Sequence, residues 1–136
     1  MNTQQLVVAD VMTIDPVVVV NDAPIEEAAR LLRAFSVTGL PVVDGRGALV
    51  GVISQTDLVA IQESPLGRLI RTELSGLKVG EVMTSPAITV PMTGSLQEAA
   101  RTMRDGKVHR LVAIDDTGRP VGVLSASDFV TLYADA

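Results

Sequence analysis

The 136-residue chain contains no cysteine and no tryptophan, and only one histidine. Without cysteine it can form no disulfide, no thiolate zinc site and no cysteine nucleophile. One histidine leaves little for any other metal centre. Aromatic residues make up 2% of the sequence, namely Phe35, Phe129 and Tyr133, too few for a platform on which bases of a single strand could stack. No run approaches the roughly 18–20 apolar residues that span a membrane. The N-terminus lacks the basic stretch, apolar core and small-residue cleavage site of a signal peptide, so a cytoplasmic setting is expected. Basic runs are missing as well. With 11 Lys and Arg against 16 Asp and Glu, a net charge of −5, there is no clustered positive face for a duplex or an anionic membrane. Neither nucleic acid nor a membrane is expected as a partner.

Catalytic signatures are equally scarce. There is no Gly-x4-Gly-Lys-Ser/Thr loop and no Gly-x-Gly-x-x-Gly, and no nucleophile accompanied by a base. The reading is a binding module without catalysis, with no required cofactor and no metal.

What the chain does have is hydrophobic residues, 47% of the total, and it uses them twice. Gly51-Val52-Ile53-Ser54-Gln55-Thr56-Asp57 returns as Gly122-Val123-Leu124-Ser125-Ala126-Ser127-Asp128, an offset of 71 residues. The same offset aligns Val11-Met12-Thr13 with Val82-Met83-Thr84, and Glu27-Ala28-Ala29-Arg30 with Glu98-Ala99-Ala100-Arg101. One repeat is therefore expected over residues 8–60, a linker over 61–78 and a second repeat over 79–134.

Each repeat reads as β-α-β-β-α. In the first, Val17 to Val20 is a β-branched strand, and Asn21-Asp22-Ala23-Pro24 leads into a helix, with Asp22 near the cap and Pro24 in the first turn. Ile25, Ala28, Ala29 and Leu32 form one apolar stripe. Leu40 to Val43 is a buried strand, closed by the Asp44-Gly45-Arg46-Gly47 turn and partnered by Ala48 to Ile53; a helix follows from about Ser54. In the second repeat the matching elements are Ile88 to Val90, Ser95 to Arg104 with its stripe Leu96, Ala99, Ala100 and Met103, Leu111 to Ile114, Val121 to Leu124, and Ser125 to Tyr133. About 50 residues hold too little core to stand alone, so the repeats are expected to pack sheet against sheet with helices outside. Leu66, Leu69, Ile70, Leu74 and Leu77 keep helical spacing in the linker. That pattern reads as a helix covering the core, or as a surface for a partner or second copy.

The Gly-φ-φ-Ser-x-Thr/Ser-Asp segment, with φ apolar, falls at a strand-to-helix junction in both repeats. The glycines permit close approach of another backbone. Ser-x-x-Asp alone reads as a helix cap with a first-turn carboxylate. It also suits a nucleotide: hydroxyls and helix N–H groups bind phosphate oxygens, while an Asp, a poor phosphate ligand, accepts from neighbouring sugar hydroxyls. Met12 and Met83 read as core fillers.

These openings, helices and junctions, together with Gly39-Leu40-Pro41-Val42-Val43-Asp44, resemble the cystathionine-β-synthase (CBS) domain over almost the whole chain. The resemblance implies an α+β fold in which two CBS repeats pack with pseudo-twofold symmetry into one Bateman module. It further implies a regulatory unit that binds AMP, ADP, ATP or another adenosyl ligand, such as S-adenosylmethionine or NAD, in clefts between the repeats. A homodimer and a regulated protein partner of unknown identity are implied too. Lys107-Val108-His109-Arg110-Leu111-Val112 is similar to His-Arg-Leu segments of the γ subunit of AMP-activated protein kinase, where His and Arg reach phosphate.

Carried over by position, one cleft would place Asp128 on ribose, Ser125 and Ser127 near phosphate or ribose, and His109 and Arg110 on phosphate, with Leu124 alongside. Thr13, Val17, Val37 and Gly39 would lie against the base and Thr38 beside it. The other cleft would use Ser54, Thr56 and Asp57, with Thr84, Ala87 and Val108 toward the base. His109 read alone is as well explained as a structural residue at the start of a strand; Arg110 beside it favours phosphate. Thr38-Gly39 stands where the second repeat has His109-Arg110, so the Asp57 cleft is expected to take a neutral or monoanionic ligand, or none. The competing reading is a module with empty clefts that serves dimerisation or protein interaction.

Overall fold

The computed structural model describes residues 6–63 and 76–135. Among them the fold is α+β, with two β-sheets and five α-helices. The expected linker helix falls largely outside the described residues; of its apolar positions only Leu77 is seen. Among the described residues no helix is long and apolar enough to cross a membrane.

The chain divides into two compact units. The central unit runs from Val17 to Ala87. Its three-stranded sheet has the order β2-β3-β4, with β2 Val19–Val20, β3 Gly39–Val43 and β4 Leu49–Ser54. Helices α1 (Ile25–Ala34), α2 (Gln55–Glu63) and the short α3 (Val79–Val82) accompany it. The terminal unit combines the residues up to Pro16 with those from Ile88 onward. Its sheet has four strands in the order β1-β7-β6-β5, with β1 Thr13–Ile14, β5 Thr89–Pro91, β6 Arg110–Ile114 and β7 Pro120–Ser125. Helices α4 (Leu96–Gly106) and α5 (Ala126–Ala134) belong to it, and so does a 3-10 turn at Val8–Asp10.

The compact units cut across the sequence repeat. Each repeat's opening segment packs in the other repeat's unit. In the terminal unit Val8 N–H donates to the Gly94 carbonyl at 2.8 Å and Ala9 N–H to that of Met92 at 2.9 Å, and Thr13 pairs with Val123 across β1 and β7. In the central unit Val79 N–H donates to Ala23 at 2.8 Å, Gly80 N–H to Asn21 at 2.9 Å, and Thr84 bridges Val52. Residue by residue these two sets are related by the repeat offset, so the exchange is symmetric.

The glycines of the two junctions make the exchange possible. A side chain on Gly51 would lie 2.7 Å from Met83 Sδ and 2.8 Å from the Thr84 carbonyl. One on Gly122 would collide with Met12 Sδ and sit 2.9 Å from the Thr13 carbonyl. The close approach expected from sequence is thus that of the exchanged Met-Thr. Both methionines are half-buried and pack against the cores of the units they join.

Each unit has its own core. Val19, Ala28, Leu32, Leu40, Val42, Ile53 and Val79 form the central one; Val8, Val90, Leu96, Ala99, Met103, Leu111, Ala113 and Leu124 form the terminal one. Val79 and Val8, one from each exchanged segment, are wholly buried. The helix stripes hold in part: Ala28 and Leu32 are buried, as are Leu96, Ala99 and Met103, but Ala29 and Ala100 face outward. The first strand is shorter than expected, since only Val19 and Val20 pair with β3. Pro24 occupies the N-cap of α1 rather than its first turn. Asp22 does not cap the helix; its carboxylate accepts from Lys78 Nζ at 2.8 Å, tying the exchanged segment down.

Candidate functional site

The two strand-to-helix junctions have the same backbone and different side-chain bonding. In each, the last strand residue is a serine and the first helical N–H is already used: Gln55 N–H donates to the Thr38 carbonyl at 3.0 Å, and Ala126 N–H to that of His109 at 2.8 Å. Both aspartates turn back on their own helix. Asp57 Oδ2 accepts from Ser54 N–H at 2.9 Å, and Asp128 Oδ2 from Ser125 N–H at 2.7 Å. The capping reading of Ser-x-x-Asp is therefore right for one oxygen of each carboxylate. Because a carboxylate has two oxygens, it leaves the second to be accounted for.

In the central unit that second oxygen has a partner within the chain. Thr84 Oγ1 donates to Asp57 Oδ1 at 3.1 Å. Ser54 Oγ also donates to Asp57 Oδ2, at 3.0 Å, and Asp57 N–H returns to Ser54 Oγ at 3.2 Å. In the terminal unit Ser125 Oγ pairs with Ser127 Oγ at 2.8 Å instead. Among the described residues no hydrogen bond reaches Asp128 Oδ1, and none joins it to Thr13, the counterpart of Thr84. The exchanged segments differ just after the threonine. Ile14 continues β1 by pairing with Gly122, whereas Ser85 turns its hydroxyl to the Val50 carbonyl at 2.9 Å.

The charge beside the serines also differs. Arg110 lies directly across the ladder from Ser125, and its counterpart Gly39 lies across from Ser54. Residues opposite one another in an antiparallel pair project to the same face. Arg110 is half-buried, and among the described residues its guanidinium makes no ion pair; the three ion pairs there are Arg30–Glu27, Lys78–Asp22 and Arg104–Asp105. His109, immediately before it, is exposed.

The terminal unit therefore gathers Thr13, His109, Arg110, Ser125, Ser127 and Asp128, and Val108 as well. Leu124 belongs there too, but its side chain is wholly buried in the core, so only its backbone is available to a ligand. The central unit holds Ser54, Thr56, Asp57, Thr84 and Ala87, together with Val17, Val37, Thr38 and Gly39. Val17 and Val37 pack against its core, as Val108 does against the terminal one. The contact that sequence reasoning missed is Thr84 to Asp57. Both residues were singled out, but nothing local ties positions 27 residues apart. No group of three or more His, Asp or Glu side chains suited to a metal ion occurs among the described residues.

Comparison with known proteins agrees with this fold. Residues 8–64 and 79–135 each match the CBS domain family, and the chain belongs to it. Inosine-5'-monophosphate dehydrogenase of Methanocaldococcus jannaschii is 31% identical over 126 residues, 93% of this chain and 22% of the enzyme. That of Mycobacterium tuberculosis is 36% identical over 121 residues, 88% of this chain and 21% of the enzyme. The chain thus spans less than a quarter of these relatives and matches only their CBS region. Among solved structures, CBSX2 in complex with AMP superposes with a TM-score of 0.82 at 34% identity, covering 95% of this chain and 96% of that one. The CBS domain pair of MJ0100 in complex with 5'-methylthioadenosine and S-adenosyl-L-methionine gives 0.78 at 25% identity, covering 96% and 97%. The chain is a tandem CBS pair.

Proposed function

We propose that this CBS pair senses an adenosyl ligand, AMP, ADP or ATP before S-adenosylmethionine or NAD, and binds it at the junction that carries Asp128. One observation carries the reading: Asp128 Oδ1 has no partner among the described residues, while two serine hydroxyls and the unpaired Arg110 lie on the same junction. A free carboxylate oxygen suits a ribose hydroxyl, and hydroxyls with a guanidinium suit phosphate. The relatives solved with AMP, or with 5'-methylthioadenosine and S-adenosyl-L-methionine, support the ligand class.

Thermal unfolding with AMP, ADP, ATP, S-adenosylmethionine and NAD tests it. Ligand at 100 times its Kd adds about 2.7 kcal/mol to the folded state, a clear rise in Tm. No rise with any of them at millimolar concentration overturns the proposal.

The reading extends to a cytoplasmic homodimer that passes ligand state to a regulated protein. Val59 on α2 and Val130 on α5, related by the repeat offset, are 50% and 68% exposed, and Phe35 and Tyr133 are also largely exposed. Those same residues favour the second reading, a dimerisation or interaction module with no ligand. Light scattering beside an assay for co-purified nucleotide separates the two: a dimer without nucleotide, and without a Tm response, selects the second.

A further inference from the structure

The two half-sites differ in how their carboxylates are held, and the difference has a direction. Asp57 is held by three donors: Ser54 N–H at 2.9 Å, Ser54 Oγ at 3.0 Å and Thr84 Oγ1 at 3.1 Å. Asp128 receives one, Ser125 N–H at 2.7 Å. A vicinal diol would approach the outward oxygen, Oδ1, since Oδ2 is committed to capping in both. At Asp57 that oxygen already accepts from a hydroxyl of the chain itself.

We propose that Thr84 is the residue that decides which half-site is open: its hydroxyl stands in for a sugar hydroxyl on Asp57 and closes that junction, leaving Asp128 as the one place for a ribose. The inference rests on the reading of Asp128 as a ribose acceptor. It adds that the second half-site is closed by the chain rather than missing.

Thr84 is well placed for this. It arrives on the exchanged segment, with Thr84 N–H donating to the Val52 carbonyl at 2.8 Å and Val52 N–H to the Thr84 carbonyl at 3.0 Å. Those backbone bonds fix its position whatever its side chain. Ser85 adds a further tie to the Val50 carbonyl at 2.9 Å. Each carboxylate oxygen has two lone pairs, so an incoming hydroxyl must share Asp57 Oδ1 with the Thr84 hydroxyl or displace it, whereas at Asp128 Oδ1 it competes with no donor of the described residues. Gly39, standing where Arg110 stands in the other unit, offers no charge to offset that deficit.

The test uses adenosine, which needs no cation, in titration calorimetry. Wild type is expected to bind one adenosine per chain, and Asp128→Ala to abolish binding. Adding Thr84→Val to Asp128→Ala is expected to restore one site per chain, tightened at least about fivefold over any residual binding of the single variant. Thr84→Ser in the same background, which keeps the hydroxyl, is expected to stay silent. Thr84→Ala is the second opening variant should valine disturb the fold. If wild type binds but neither opening variant restores a site, this inference fails and the reading of Asp128 stands. If Asp128→Ala binds as tightly as wild type, the inference fails because Asp57 was open all along. If neither wild type nor the opening variants bind adenosine or AMP, both fail together.

Discussion

Arg110 and Ser125 face each other across the β6–β7 ladder, and the matching pair in the other sheet is Gly39 and Ser54. One position thus gives one junction a cation and the other none. If Arg110 meets phosphate, Arg110→Ala is expected to weaken AMP about 10- to 100-fold, the worth of a charge-assisted hydrogen bond, and adenosine less than about twofold. Paired titrations of the two ligands decide it. Equal losses for both would place Arg110 on the nucleoside instead.

Gly51 and Gly122 sit under the exchanged Met-Thr segments, where backbone carbonyls as well as methionine sulfur lie closer than a side chain tolerates. A methionine can move aside and a paired carbonyl cannot. Gly51→Ala and Gly122→Ala are each expected to cost about 1–3 kcal/mol in urea unfolding, typical of overpacking. Gly45→Ala, with nothing near its missing side chain, serves as the tolerant control.

Ser36 and Lys107 close α1 and α4 with φ of 53° each, in the left-handed region that glycine adopts without penalty. Both side chains are exposed. Ser36→Gly and Lys107→Gly are expected to stabilise the fold by up to about 1 kcal/mol each, and the pair to add, as distant sites do. An unchanged or lower Tm would show that an unseen role of the side chain outweighs the backbone gain.

Asp44 and Asp115 fill matching hairpin turns. Backbone N–H donors from Arg46 and Ala48 hold Asp44 below its ordinary carboxylate pKa, and the Thr117 hydroxyl with the Arg119 and Thr117 N–H groups does the same for Asp115. A carboxylate whose pKa is depressed by folding stabilises the fold fully above its unfolded pKa, near 3.9, and loses that contribution as pH falls through the lower folded value. Wild type is therefore expected to lose stability below about pH 4, and Asp44→Asn and Asp115→Asn to show a shallower acid loss. Urea midpoints measured from pH 6 down to 2.5 give the slopes to compare.

Much of the fold was legible because hydrophobic period and turn chemistry are local. Val42, Ile53, Leu111 and Leu124 fall in the expected strands, and all are buried. Ala29 and Ala100 were misplaced because a stripe read at i, i+3 and i+4 is wider than the strip a sheet covers. The exchange of opening segments was hidden for a different reason. Val11-Met12-Thr13 and Val82-Met83-Thr84 are alike, so either would fit either sheet, and which one it joins is a matter of chain path rather than composition. The bond from Thr84 to Asp57 was hidden with it. The difference in charge at Arg110 and Gly39, by contrast, was visible as soon as the repeats were aligned.

The exchange also gives synthesis an order. The central unit has all its parts once Ala87 has left the ribosome, although its sequence repeat begins much earlier. Residues 6–14, made before the central unit, have no sheet to join until Val123 exists. A segment made before the central unit is thus placed after it, and Val8 has no core to enter until Val90 to Leu124 supply one.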